Sequence, residues 1–174
     1  QRANAPWNSR LLHRVAAIPL GNIPNRRLLM TGGNSGSLND AWLTDDLGIT
    51  WNQMTTHAGW DPRDRHELIG DGTDFILMGG FGMGSNNNDV WLTPDAGVTW
   101  NLQTANAGWE PRAGIGADIM GGNLLVVGGN GDSGFWNDAW LSTDQGVTWS
   151  VKTTEAEYPK RNAHRVRATT DGKF

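Results

Sequence analysis

The residues able to do covalent or metal chemistry are few, and most fall into a pattern. There is one tyrosine, Tyr158, and no cysteine, which excludes a thiolate nucleophile, thiolate metal ligands and disulfide staples. The histidines are His13, His57, His66 and His164. Three of them (His13, His66 and His164) hold one repeat position at the start of a first strand, where they could converge on a zinc ion. Ile115 holds the same position in another copy, so packing is the expected role and no metal is expected. Three aspartates, Asp46, Asp95 and Asp144, recur every 49 residues. Carboxylates can act as general acids and bases. An active site rarely repeats in every copy, however, and each aspartate sits in the same local pattern. A hydroxyl residue lies two before it (Thr44, Thr93, Ser142) and a glycine two after (Gly48, Gly97, Gly146). A tryptophan (Trp51, Trp100, Trp149) lies five after. Aspartate in a turn accepts from backbone N–H groups two residues on, and the hydroxyl ties the strand end to the same turn. Glycine supplies positive φ, and tryptophan buries a large face between sheets. All of these residues read as frame.

The recurrent arginines Arg10, Arg63, Arg112 and Arg161 could ring a central opening and bind an anion. Recurrence favours the other role, a guanidinium capping carbonyls between units. Trp60 and Trp109 precede two of them, and Tyr158 takes the same slot before Arg161. The run Lys152, Lys160, Arg161, Arg165, Arg167 and Lys173 is basic, but Glu155 and Glu157 interrupt it, as on a solvated face. Gly80 to Gly84 is glycine-rich without a helix after it, so it is not a phosphate cradle.

The elements behind these residues come from an internal repeat. Trp42, Trp91 and Trp140 recur every 49 residues. The pairs Gly32–Gly33, Gly79–Gly80 and Gly128–Gly129 fall at spacings of 47 and 49, and the Asn-Asp dipeptides at 39, 88 and 137 keep the tryptophan register. Each unit reads as four short strands. In the middle one these are His66 to Gly70, Phe75 to Met78, Val90 to Thr93 and Thr99 to Gln103, with turn residues between them. Twenty-four glycines, ten tryptophans and 18% charged residues fit short strands and many turns, not a helical bundle or a disordered chain. The net charge of −4 gives no support for nucleic-acid binding. No apolar run is long enough to span a membrane as a helix. Gln1 rather than methionine opens the sequence, which implies processing or a longer parent chain.

Two motifs carry a family resemblance. An apolar strand ending in Gly-Gly and followed by a tryptophan resembles the kelch repeat. The pattern S/T-x-D-x-G-x-T-W, as in Thr93-x-Asp95-x-Gly97-x-Thr99-Trp100, resembles the Asp-box of sialidases and other secreted propellers. The resemblance runs from Trp7 to Phe174 and implies an all-β propeller of four-stranded blades. Residues 1–174 then form one segment, with blades at about 11–57, 64–105 and 113–154 and a fourth begun at 164–174. Propellers close with about four to eight blades. The segment is therefore expected to be part of a larger ring, completed by remaining blades of the chain or by a second copy, and three blades leave two uncovered faces.

In kelch-like propellers the loops after strand two share a face with the inter-blade loops, and that face holds the binding site. Here they are Asn34 to Asn39, Phe81 to Asn88 and Asn130 to Asn137. They differ between units while the frame repeats, as recognition loops do. Their candidate residues are Phe81, Met83, Asn86, Asn87, Asp132, Phe135 and Trp136. The alternative for Phe135 and Trp136 is packing onto a neighbouring blade. The expected function is a non-enzymatic module that binds a protein or a glycan, without cofactor, in an extracellular or cell-surface setting. The rival is a glycan-active enzyme with its catalytic residues outside this segment. Sialidases need a tyrosine nucleophile, and Tyr158 sits in a frame slot; galactose oxidase needs a cysteine-linked tyrosine.

Overall fold

The computed structural model describes residues 5–19, 26–33 and 37–169. These residues form fifteen strands and no helix. The first unit is a meander of β1 (Arg14–Pro19), β2 (Arg26–Gly33), β3 (Leu38–Thr44) and β4 (Asn52–Thr55). In the second unit β5 (Glu67–Asp71) and β6 (Asp74–Met78) lead into a small hairpin, β7 (Phe81–Gly82) and β8 (Ser85–Asn86). β9 (Val90–Thr93) and β10 (Asn101–Thr104) then complete the sheet in the order β5-β6-β9-β10. In the third unit β11 (Arg112–Ala113) and β12 (Gly116–Met120) both pair with β13 (Asn123–Gly131). β14 (Gly134–Ser142) and β15 (Ser150–Thr153) follow. All pairings are antiparallel.

The apolar second strands follow from burial on both sides. Successive residues of a strand point to opposite faces. Phe75 and Leu77 of β6 pack with Leu29, Ala41 and Leu43 of the first unit. Ile76 and Met78 pack the other way, with Ile115, Ala117 and Leu124 of the third. The hydrophobic cores therefore lie between units. Edge-to-face tryptophan pairs recur from unit to unit: Trp60 with Trp100 at 5.7 Å and Trp109 with Trp149 at 6.1 Å beside these cores, and Trp7 with Trp51 at 4.8 Å on the first unit. The turn glycines close these interfaces. A Cβ on Gly97 would lie 2.9 Å from Leu29 Cδ1, and one on Gly146 would lie 2.6 Å from Val90 Cγ1.

Backbone hydrogen bonds stitch unit to unit. Arg65 N–H donates to Leu12 O at 3.1 Å, Gly114 N–H to Arg65 O at 2.8 Å, and Ala163 N–H to Gly114 O at 2.8 Å. All four residues have positive φ, at +60° for Leu12, +51° for Arg65, +63° for Gly114 and +53° for Ala163.

Several expected boundaries move. His66 precedes the first strand of its unit, and the fourth strand is Asn101–Thr104 rather than Thr99 to Gln103, because Thr99 belongs to the aspartate turn. The connections expected as loops at Phe81 to Asn88 and Asn130 to Asn137 are hairpins. Phe81 pairs with Asn86, while Asn130 pairs with Phe135 and Gly131 with Gly134. Residues 164–169 run along β12 without forming a regular strand, with Ala168 N–H donating to Asp118 Oδ2 at 2.7 Å. Asn34 to Gly36 and Asp171 to Phe174 lie outside the described residues.

Candidate functional site

The aspartate turns are built alike in all three units. Thr44 Oγ1 donates to Asp46 Oδ1 at 2.7 Å and accepts from Gly48 N–H at 3.0 Å. Asp46 accepts from Thr50 N–H at 2.9 Å and from the Thr50 hydroxyl at 2.6 Å. Thr93–Asp95–Thr99 and Ser142–Asp144–Thr148 repeat this arrangement. The backbone donor to each aspartate thus lies four residues on, not two, because the hydroxyl before the aspartate takes the nearer N–H groups. The Thr50 hydroxyl and backbone N–H hold the Asp46 carboxyl down to about 2. Thr148 does the same to Asp144. Slight burial pushes Asp95 up, but the Thr99 and Thr93 hydrogen bonds outweigh it and the carboxyl falls below its ordinary value. Depressed carboxyls stabilise the fold above their unfolded value of 3.8, and that stability is lost as pH falls toward about 2. Acid unfolding followed by tryptophan fluorescence should show this window. The combined variant Asp46→Asn, Asp95→Asn, Asp144→Asn should be less stable at neutral pH and lose the pH dependence of that acid window. An unchanged profile would contradict a structural role for these carboxylates.

The recurrent arginines do not ring an opening. Arg112 makes a two-pronged ion pair with Asp138, at 2.6 and 3.1 Å, and also donates to Gly128 O at 3.1 Å. Arg63 holds Asp89 and Gly79 O in the same way, and Arg10 holds Asp40 and Gly32 O. The second oxygen of each aspartate also accepts from a tryptophan indole: Trp42, Trp91 or Trp140. Asp40, Asp89 and Asp138 were the frame residues that motif reading missed. Their signal was the recurring Asn-Asp dipeptide, whose asparagine ties down the chain entering the next unit through Asn39, Asn88 and Asn137 Nδ2. Arg161 is exposed and donates to Pro159 O.

Other charged groups meet between the first strands. Arg14 Nε lies 3.3 Å and Arg165 Nη1 3.2 Å from Glu67 Oε2, beside a cavity of about 410 Å³ lined by charges of both signs. Burial pushes the Glu67 carboxyl up against the pull of Arg14 and Arg165. Buried His66 meets Thr31 Oγ1 at 2.8 Å, and burial, then Arg63, holds its imidazole well below the ordinary value, so it is neutral. Burial, then the Asp138 carboxylate, raises the Tyr158 phenol above its ordinary value. No three potential ligands among His, Cys, Asp and Glu cluster as a metal site among the described residues.

The candidate binding residues gather on the hairpins. Asn86 Nδ2 donates to Asp132 Oδ1 at 2.8 Å, joining the hairpin tips of the second and third units. Met83 at one tip has φ +51° and is 76% exposed, and Phe135 beside the other is 52% exposed. Phe81 lies under the Arg65 guanidinium at 5.1 Å. The linkers come to the same edge: Asp64 pairs with Phe81, and Ser133 N–H donates to Glu110 Oε1 at 3.0 Å. Two of the candidates turn inward. Asn87 is tied to Gly80 O through its N–H at 2.9 Å, and Trp136 is half-buried with Arg112 at 4.8 Å and Lys160 at 5.9 Å from its ring. Of the two adjacent aromatics, Phe135 is therefore the free one. The arrangement offers apolar tips flanked by amides and cations, the chemistry of a contact surface. No protein-family model matches the chain, and no curated protein matches it.

Proposed function

We propose that this chain is part of a kelch-like β-propeller and works as a binding or assembly module for a protein or a glycan, without catalysis of its own. The observation that carries this reading is the contrast between frame and tips. Arginine–aspartate pairs, aspartate turns and tryptophan pairs repeat from unit to unit. The hairpins differ, and they present Met83 and Phe135 to solvent on one linked edge. Repetition of the Gly-Gly strand ends and of the S/T-x-D-x-G-x-T-W turns supports the propeller reading, and likeness of those turns to secreted propellers supports an extracellular or cell-surface setting.

The test is selection of ligands on the immobilised chain from a random-peptide phage library and a glycan array. The double variant Met83→Ser, Phe135→Ser should weaken a selected ligand at least about tenfold, as loss of apolar anchors does. Val147→Ser, in an exposed turn away from the hairpins, should leave it unchanged. Undiminished binding by the double variant would overturn the proposed surface. Turnover of a bound glycan would favour the glycan-active alternative.

A further inference from the structure

Some of the positions that are buried between units lie open on the first unit, although Met30, the counterpart of Leu77 and Val126, is buried there too. Val15 is 47% exposed, while its counterparts Leu68 and Ala117 are 3% and 2% exposed. Leu47 is 58% exposed, while Ala96, at the same turn position and with the same φ of +59°, is 4% exposed; the longer, polar Gln145 of the third unit reaches solvent from this position. Gly97 and Gly146 are pressed against the preceding unit, but the nearest atom to a Cβ on Gly48 is 3.7 Å away and belongs to Trp51 of its own turn. His66 Nε2 meets Thr31 Oγ1 of the preceding unit at 2.8 Å, and Nδ1 is buried without a partner in both His66 and its first-unit counterpart His13. Trp7 already stands in place at this face, packed on Trp42 and Trp51.

The internal interfaces show what chemistry covers such a face. Leu29 and Ala41 lie over Gly97, and Thr31–Gly32 lies over the His66 ring. A second copy of the chain does not supply that surface. Its first-unit face bearing Leu29, Ala41 and Thr31 is buried by its own second unit. Its third unit offers Val127 where Thr31 would be needed, and residues 164–169 already lie there, with His164 against Gly128.

We infer that the exposed face of the first unit is a docking site for a further four-stranded antiparallel sheet of this same repeat. That sheet carries an aliphatic residue at the Leu29 position, a small one at the Ala41 position, and a hydroxyl residue before Gly-Gly at the end of its second strand, opposite His13. The inference deepens the propeller reading and is independent of the hairpin tips, since its test leaves Met83 and Phe135 untouched.

Because the chain has no cysteine, single introduced thiols report the face cleanly. Leu47→Cys and Ala96→Cys are compared by reaction with a disulfide reagent, in the chain itself and in a chain with residues 7–59 duplicated in tandem. The duplicate places a first-unit sheet, with its Thr31, ahead of the inner copy. In the chain itself Leu47→Cys should react at least about 100-fold faster than Ala96→Cys. In the duplicated chain the inner Leu47→Cys should slow to the Ala96→Cys rate. Fast reaction of the inner Leu47→Cys in the duplicated chain overturns the inference. So does slow reaction in the single chain with a dimer mass in light scattering, which would make a second copy the occupant. If Ala96→Cys is fast in either chain, the units do not pack as the interface requires and the inference falls.

Discussion

Replacing Arg112 by alanine is expected to cost about 3–5 kcal/mol, among the largest effects of any single substitution in the frame. The guanidinium and the Asp138 carboxylate are both buried, with side-chain exposures of 1% and 5%. Truncation leaves that carboxylate without its cation and Gly128 O without a donor, in a place water does not reach. It also removes the cation beneath Trp136. Arg112→Lys should recover only part of the loss, because an ammonium cannot satisfy two carboxylate oxygens and a carbonyl with one planar fork. Urea unfolding of the two variants measures this. A loss below about 1 kcal/mol for Arg112→Ala would place the pair among ordinary surface ion pairs.

The second large effect is expected at Trp109. Its ring is fully buried in the core between the second and third units and meets Trp149 edge to face. Its indole nitrogen is buried without an acceptor, so truncation orphans no polar partner. The cost is then apolar burial plus a cavity, about 3–5 kcal/mol for Trp109→Ala. Trp136→Ala should cost about 1–2 kcal/mol, since that ring is half-buried and its main contact is the Arg112 guanidinium. Chemical denaturation that ranks the two in the opposite order would contradict the placement of the core between units.

The two tryptophans also show how much of the molecule was legible from its residues. Recurrence at a fixed spacing exposes anything the frame needs in every unit. The aspartate turns, the Gly-Gly strand ends and the linker tryptophans could therefore be read directly. The arginine–aspartate pairs could not, because a partner 26 residues away leaves no local pattern; only repetition of the Asn-Asp dipeptide hinted at it. The hairpins read as loops because Gly-Phe-Gly-Met-Gly has turn composition, and a two-residue ladder such as Phe81–Gly82 with Ser85–Asn86 has too few residues to show alternation. Phe135 and Trp136 stood together as one aromatic pair. On a strand, neighbours point to opposite faces, and one ring went to solvent while the other went onto Arg112. The candidate residues thus lie along one edge of the sheets, with Phe135 turned to solvent and Trp136 turned onto the frame.

The separation of frame from tips is tested most directly by the melting temperature of Met83→Ser, Phe135→Ser, measured on the same preparation used for ligand binding. Exposed side chains removed from hairpin ends should leave it within about 2 °C of the parent, since surface substitutions cost within about 0.5 kcal/mol, while binding is lost. A fall comparable to that of Trp109→Ala would mean that these side chains belong to the frame, and the account of a fixed scaffold with free recognition tips would be wrong.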